Sequence, residues 1–294
     1  MIAVTTPTGQ IGSKVVKELL NAKEAVRVIV RDPAKLTAEV RARFEVVQGS
    51  SDEEDVLLRA LENAESLFLV VPPSFATNDV KEYYLRFARP VARAIVKQRV
   101  KRVVAVSALG RGLPMDGGLV TDSFAKDEEI ERTSVAFRAL WCPGFMENML
   151  RQVATLKHQG AFFGPSLPHV KSPLVATRDI ASTAAKLLLD RSWTGQGGVA
   201  VLGPEDLSND DMAAIMSAVL EKPIRYVQVP ADAYKSQLMQ YGASEHFAQR
   251  LVDMMVAKDK GLDSAERRTP DNTTPTTFRQ WCEEVLKPVF HQQA

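Results

Sequence analysis

Residues 1–12 read Met1-Ile2-Ala3-Val4-Thr5-Thr6-Pro7-Thr8-Gly9-Gln10-Ile11-Gly12. An apolar run gives a strand, and two glycines three apart precede a helical pattern. A strand that enters a tight turn and then a helix aims backbone amides and the positive end of the helix dipole at one point, where a pyrophosphate binds. In a G-x-x-G-x-x-G series the first glycine falls at position 6, which here is Thr6. A threonine is tolerated there with a negative φ, and Pro7 biases it toward the extended region. The turn is therefore altered rather than absent. Gly9 lets the backbone approach the phosphates, Gly12 lets the helix pack on the strand, and the hydroxyls of Thr6 and Thr8 are free to add hydrogen bonds. Alone, the octapeptide 5–12 also fits a plain strand-to-helix turn; its place after the first strand of a βαβ unit favours the nucleotide.

The end of the second strand bears on which nucleotide. NAD sites place an acidic residue there, about 20 residues beyond the glycines. This chain has Val30-Arg31-Asp32-Pro33-Ala34-Lys35. A guanidinium suits a ribose 2′-phosphate through charge-assisted bonds, with Lys35 as a second charge, so NADP(H) is preferred over NAD. The alternative is a solvated basic residue opening a loop.

Short β-branched runs alternate with helical patterns, which indicates an α/β protein with a doubly wound parallel sheet. Strands are expected at 1–5, 25–30, 44–47, 66–71, 102–106 and 135–141. Helices are expected at 11–22, 56–61, 80–98 (with a kink at Pro90) and 122–132. Beyond residue 150 the pattern is less regular: a helix over 179–189, a strand over 198–202, a helix over 208–220 with Ser208 and Asp211 set as a capping box, and a strand over 224–229. Two helices broken at Gly242 fill 231–260, and a final helix ends at Val285. The expected organisation is a nucleotide-binding domain over 1–150 and a smaller mixed α/β domain over 151–294, with roughly 175–203 returning to the first sheet.

The 294 residues carry a net charge of +1 with mixed signs, which gives no footprint for nucleic acid or an acidic membrane. Two cysteines and four scattered histidines offer neither a disulfide framework nor a metal motif. No apolar run is long enough to span a bilayer and no leader segment is evident, so the expectation is a cytoplasmic protein.

These pieces together resemble the NmrA-like branch of the atypical short-chain dehydrogenases/reductases. The resemblance rests on Ile2-Ala3-Val4-Thr5, Val28-Ile29-Val30-Arg31-Asp32-Pro33, Val46-Val47-Gln48-Gly49 and Val70-Val71-Pro72-Pro73. Pro143-Gly144-Phe145-Met146-Glu147-Asn148, Thr177-Arg178-Asp179-Ile180-Ala181 and Leu202-Gly203-Pro204-Glu205 extend it over most of the chain. It implies a Rossmann domain, a smaller C-terminal domain and a small-molecule substrate in the cleft between them. Family members include quinone and azo reductases as well as cofactor sensors. Carried over position by position, it implies that Thr6 and Thr8 to Gly12 (Gly9, Gln10, Ile11) cradle the pyrophosphate and that Arg31 and Lys35 meet the adenosine phosphate. Gly49 and Ser50 would lie by the adenine, where the family usually has Gly-Asp. Val71, Pro72 and Pro73 would line the ribose, Ser107 and Lys126 would lie under the cofactor, and Pro143, Gly144 and Phe145 would wall the nicotinamide. Cys142 stands where the family has arginine.

Catalytic short-chain dehydrogenases pair Tyr-x-x-x-Lys on the helix after the fifth strand. Four residues beyond Tyr83, Tyr84, Tyr226, Tyr234 and Tyr241 stand Phe87, Ala88, Pro230, Leu238 and Glu245, none of them lysine. Lys126 takes the lysine's place with Asp122 four residues before it, an aspartate being a poor acid at neutral pH. Asp127-Glu128-Glu129 is read as a solvated face and Cys142 as a buried, inert thiol. Reduction of a quinone, azo compound or enone needs chiefly position and a dry pocket. Ser107, Lys126 and Asn148 are the catalytic candidates, and Phe75, Phe145, Met146, Met149 and Phe162-Phe163 are either pocket walls or core. Two functions remain: an NADPH-dependent reductase of small electrophilic acceptors, and a non-catalytic NADP(H) redox sensor that binds another protein. A homodimer stays open.

Overall fold

The structure is a computed structural model that describes residues 1–292. In chain order the first half contains β1 (Ile2–Val4), α1 (Gly12–Asn21), β2 (Val26–Val30), α2 (Ala38–Arg43), β3 (Glu45–Gln48), α3 (Glu54–Leu61), β4 (Ser66–Leu69), α4 (Val80–Gln98), β5 (Arg102–Ala108), α5 (Leu119–Glu131) and β6 (Ala136–Cys142). The second half adds β7 (Gly144–Phe145), a 3-10 turn over Met146–Gln152, α6 (Val153–Gln159), β8 (Ala161–Gly164), β9 (Ser172–Val175), α7 (Thr177–Leu189) and β10 (Gln196–Ala200). It ends with β11 (Asp206–Leu207), α8 (Asn209–Leu220), β12 (Arg225–Gln228), α9 (Ala231–Gln240), α10 (Glu245–Asp259), α11 (Phe278–Trp281) and α12 (Lys287–His291).

Seven strands form one sheet in the order β3-β2-β1-β4-β5-β6-β10, every pair parallel. Alternation of side chains along each strand splits the core into two layers. Val4, Val28, Phe68, Val104 and Leu140 face α1 and α7. Ala3, Ile29, Leu67, Val103 and Phe137 face α3, α4 and α5. Strands buried on both faces explain why these segments read as nearly continuous apolar runs. The sheet is the doubly wound α/β fold expected. Strand order reverses between β1 and β4, so a crevice opens at their carboxyl ends, where ligands of such sheets bind.

The second half returns to this sheet: α7 packs on the layer that holds α1, and β10 pairs with β6 from Gln196↔Phe137 to Ala200↔Trp141. Another core of Leu156, Phe162, Met216, Leu220, Phe278 and Trp281 joins α6, β8, α8 and α11, while Ala257 of α10 packs with Val120 of α5. The capping box of α8 forms with both bonds, Asp211 N to Ser208 Oγ (3.1 Å) and Ser208 N to the Asp211 carboxylate (3.0 Å). No helix among the described residues is long and apolar enough to cross a membrane.

Several expectations are corrected. Strand β4 stops at Leu69. The last helix does not end at Val285 but passes through a π-turn at Cys282–Leu286 into α12. Thr6 is not extended: its φ is +53°. In that conformation its hydroxyl donates to the Val70 carbonyl (2.8 Å) and its own carbonyl accepts from the Gly9 amide (3.1 Å). These bonds outweigh the local preference imposed by Pro7.

A side chain at Gly12 would overlap the Thr6 carbonyl. Gly12→Ala should therefore lower the unfolding free energy by about 1–3 kcal/mol, while Ser13→Ala, at an exposed position of the same helix, should change it by less than about 0.5 kcal/mol. Denaturant unfolding of the two variants checks this.

Candidate functional site

The corner between β1 and α1 is built by cross-bonding to β4. Thr5 Oγ1 accepts from the Val70 amide (2.8 Å) and Thr6 Oγ1 donates to the Val70 carbonyl. Helix α1 then starts without a side-chain cap. Ser13, Lys14 and Val15 donate to the carbonyls of Gly9 and Ile11, whereas the amides of Thr8, Gln10, Ile11 and Gly12 have no protein acceptor among the described residues. Ile11 and Gly12 are buried, so these donors need a partner that the fold does not supply. Lys14, which sequence reasoning missed, folds back onto the Gln10 carbonyl (2.7 Å). Burial pulls its ammonium below the usual lysine value, the Glu147 carboxylate opposes this, and Arg178 adds to it. The corner carries positive charge as well as amides.

The other expected cofactor positions follow the carboxyl ends of neighbouring strands, with Lys126 supplied by α5. After β2, Arg31 is exposed, and its guanidinium makes no ion pair or hydrogen bond among the described residues. Asp32 instead caps the next turn by accepting from Ala34 N (3.0 Å), and Lys35 is exposed on that turn. After β3, Gly49 has φ +149° and lies against Val56, while Ser50 is half-buried. After β4, Val71 and Pro72 are half-buried, and the Tyr83 hydroxyl donates to the Pro72 carbonyl (2.9 Å). After β6, Pro143 is buried, and Gly144 and Phe145 pair with Leu174 and Val175. The thiol of Cys142 is pushed far up by burial despite nearby Lys126, which is the inert cysteine expected.

Asp127 is not on a solvated face; it is fully buried. Its carboxylate accepts from the Ser107 hydroxyl and from the Lys126 ammonium. Lys126, also buried, is thus committed to a salt bridge, and Ser107 has an acidic partner that its sequence context did not reveal. Glu128 and Glu129 do behave as solvated groups, pairing with Arg132. Asp122 turns instead to Arg250 of α10 (2.7 Å).

A cleft of about 200 Å³ begins at Pro73 and Phe75 and runs between α4, Leu119 of α5, Asn148 and Arg151 of the 3-10 turn, and Phe247 of α10. Of the expected walls, Phe75 and Asn148 reach it; Met146 and Phe162 lie in the second core, and Phe145 packs against the sheet. Three clamps hold it. The Ser244 amide donates to the Phe75 carbonyl (2.9 Å), and Phe75 meets Phe247 edge-on at 5.0 Å. Arg250 joins α10 to Asp116, Asp122 and the Gly118 carbonyl, and the two carboxylates hold its guanidinium above the usual arginine value. Buried Glu147 accepts from Thr177 N (3.0 Å) at the start of α7, which anchors the turn bearing Asn148 and Arg151. Tyr84 of α4 also lines the cleft. Burial first, then the carboxylates of Asp127 and Asp122 with the Tyr83 phenol, push its pKa up to about 12. At neutral pH it is a phenol able to donate. Helix α10, and hence Arg250, comes from the irregular half, where no motif marked it.

A family model described as the NmrA-like family matches residues 1–282. An NAD(P)H azoreductase from Xenophilus azovorans is 27% identical over 255 residues, covering 86% of this chain and 86% of the relative. A (4-alkanoyl-5-oxo-2,5-dihydrofuran-3-yl)methyl phosphate reductase from Streptomyces griseus is 29% identical over 243 residues, covering 81% and 80%. The structure of an NADPH-dependent quinone oxidoreductase from Escherichia coli, complexed with NADPH, has a TM-score of 0.82 at 22% identity and covers 97% of this chain and 100% of that one. At that identity the likeness is one of fold.

Because Lys126 and Asp127 neutralise each other in a dry site, removing one charge exposes the cost of the other. Asp127→Asn should lower stability by about 3 kcal/mol, and adding Lys126→Met should recover most of it. Thermal unfolding of both variants measures this; equal stabilities for single and double variants would contradict the coupling.

Proposed function

This chain belongs to the NmrA-like family, and on that premise we propose that it is an NADPH-dependent oxidoreductase passing hydride to a small electrophilic acceptor held in the cleft. The acceptor class is a quinone, azo compound or enone. One observation carries the reading. The amides of Gln10, Ile11 and Gly12, which lack a protein acceptor among the described residues, share a corner with β4, and the chain leaving β4 leads through Pro73 into the cleft. A dinucleotide whose pyrophosphate meets those amides extends along the carboxyl edge of the sheet toward the acceptor. The residues fit such a group: donors at the start of α1 and a guanidinium at Arg31, for a 2′-phosphate, that have no partner among the described residues, and Lys14 adding charge at the corner. Relatives named as reductases, one of them an NAD(P)H azoreductase, support the same direction.

When bound, the reduced nicotinamide supplies the hydride. The chain's task is to bind, orient and exclude water. Phe75, Phe247 and Leu251 give the cleft apolar walls. The Tyr84 phenol and the Asn148 amide are its candidate donors to a carbonyl or azo nitrogen that gains charge as hydride arrives. The acceptor also takes one proton, from water or through Tyr84, so a quinone becomes a hydroquinone. Lys126 and Ser107 are held by the Asp127 carboxylate, which leaves Tyr84 and water as the proton donors of this reading. A purely sensory role needs the amide corner but not a walled cleft beside it, which favours catalysis.

Purified protein given NADPH and a panel of quinones, azo dyes and enones should oxidise the coenzyme with at least one of them; no turnover above background across the panel would refute the reading. Separately, Arg31→Ala should weaken NADPH about tenfold while changing NADH by less than about twofold, measured by the fluorescence of the bound reduced coenzymes.

A further inference from the structure

Charge in and around the cleft is distributed unevenly. Arg250 is saturated by Asp116, Asp122, Asp253 and a carbonyl, and Asp127 is taken up by Lys126 and Ser107. The residues that line the cleft itself include hydroxyls, one amide, apolar groups and a single charged side chain, Arg151. Arg151 makes no ion pair and no hydrogen bond among the described residues; its guanidinium lies over the Phe75 ring, 4.9 Å from the centroid. The side chain reaches solvent at the mouth, yet burial of its guanidinium holds it below the usual arginine value, with Tyr234 opposing. A stacked arginine keeps its edge donors free and aligned, a geometry that matches two oxygens of a carboxylate, sulfonate or phosphate. The Phe75–Phe247 pair beside it offers an aromatic surface.

The geometry points to an aromatic acceptor that carries an anionic group, with Arg151 gripping that group at the mouth while the ring lies against Phe75 and Phe247. This deepens the reductase reading and rests on it: the cation sets which acceptors enter, and the reacting atoms face Tyr84 and Asn148. Arg151 is a specificity residue and takes no part in proton or hydride transfer. A phosphate of the coenzyme is the other anion within the same chemistry, and the test separates the two.

The probes are a naphthoquinone sulfonate and the same naphthoquinone without the sulfonate, each reduced with NADPH by the wild type, Arg151→Gln and Arg151→Lys. Arg151→Gln should raise KM for the sulfonate about tenfold, leave the neutral quinone and the NADPH dissociation constant nearly unchanged, and be partly rescued by Arg151→Lys. An equal effect on both quinones, or no effect on either, overturns the proposal. So does a matching loss of NADPH affinity, which would assign the guanidinium to the coenzyme. Calorimetry of naphthalene sulfonate binding to the protein without coenzyme decides the point independently of turnover. If the wild type reduces neither quinone, binding alone decides: sulfonate binding that Arg151→Gln abolishes supports the anion site, and binding that it leaves intact overturns it, whereas the reductase reading fails only if the whole panel of quinones, azo dyes and enones is inert.

Discussion

Thr5 and Thr6 tie the end of β1 to the end of β4 through Val70, which accepts from one hydroxyl and donates to the other. That tie lies where the strand order of the sheet reverses, so it shapes the crevice itself. Its cost is visible in Thr6, a β-branched residue held at φ +53°, a conformation worth roughly 1–2 kcal/mol of strain. The bonds to Val70 and Gly9 offset it. With Thr6 so placed, its carbonyl lies where a side chain at residue 12 would stand, and the amides at the start of α1 are left without acceptors among the described residues. A threonine thus replaces a glycine by taking the glycine's conformation rather than by avoiding it.

On the far side of β4 the problem is a buried charge. Lys126 and Asp127 are both withdrawn from water, which is tolerable only because they meet each other and Ser107. The arrangement ties the lysine that stands where a Tyr-x-x-x-Lys pair would have its own to a neighbouring carboxylate. Polar groups that remain for a ligand in the cleft come from elsewhere: Tyr84 on α4, and Asn148 and Arg151 on the turn after β7. A site built this way suits an acceptor that delocalises the charge it receives.

The sheet was legible because its strands are buried on both faces and its helices amphipathic, two signals that local sequence carries strongly. The capping box at Ser208 was legible for the same reason: its parts are three residues apart. The short pieces between 144 and 175 were not, since β7, β8 and β9 are held by partners far along the chain and have little period of their own. Asp127 misled because three acidic residues in a row read as solvated; only its distance to Ser107, 20 residues earlier, shows otherwise. Thr6 misled because the effect of Pro7 is local and the bond to Val70 spans 64 residues. Arg250 and Arg151 carried no motif, and their contrast, one saturated and one free, exists only in three dimensions.

The proposed grip on a phosphorylated dinucleotide combines the amides at the mouth of α1 with Arg31 at the end of β2. A crystal structure of the protein grown with NADPH tests it most directly. The account predicts the pyrophosphate against the amides of Gln10, Ile11 and Gly12, the 2′-phosphate on Arg31, and the nicotinamide directed past Pro73 to the cleft. A corner that stays empty in excess coenzyme, or that is filled by the chain's own atoms, contradicts it.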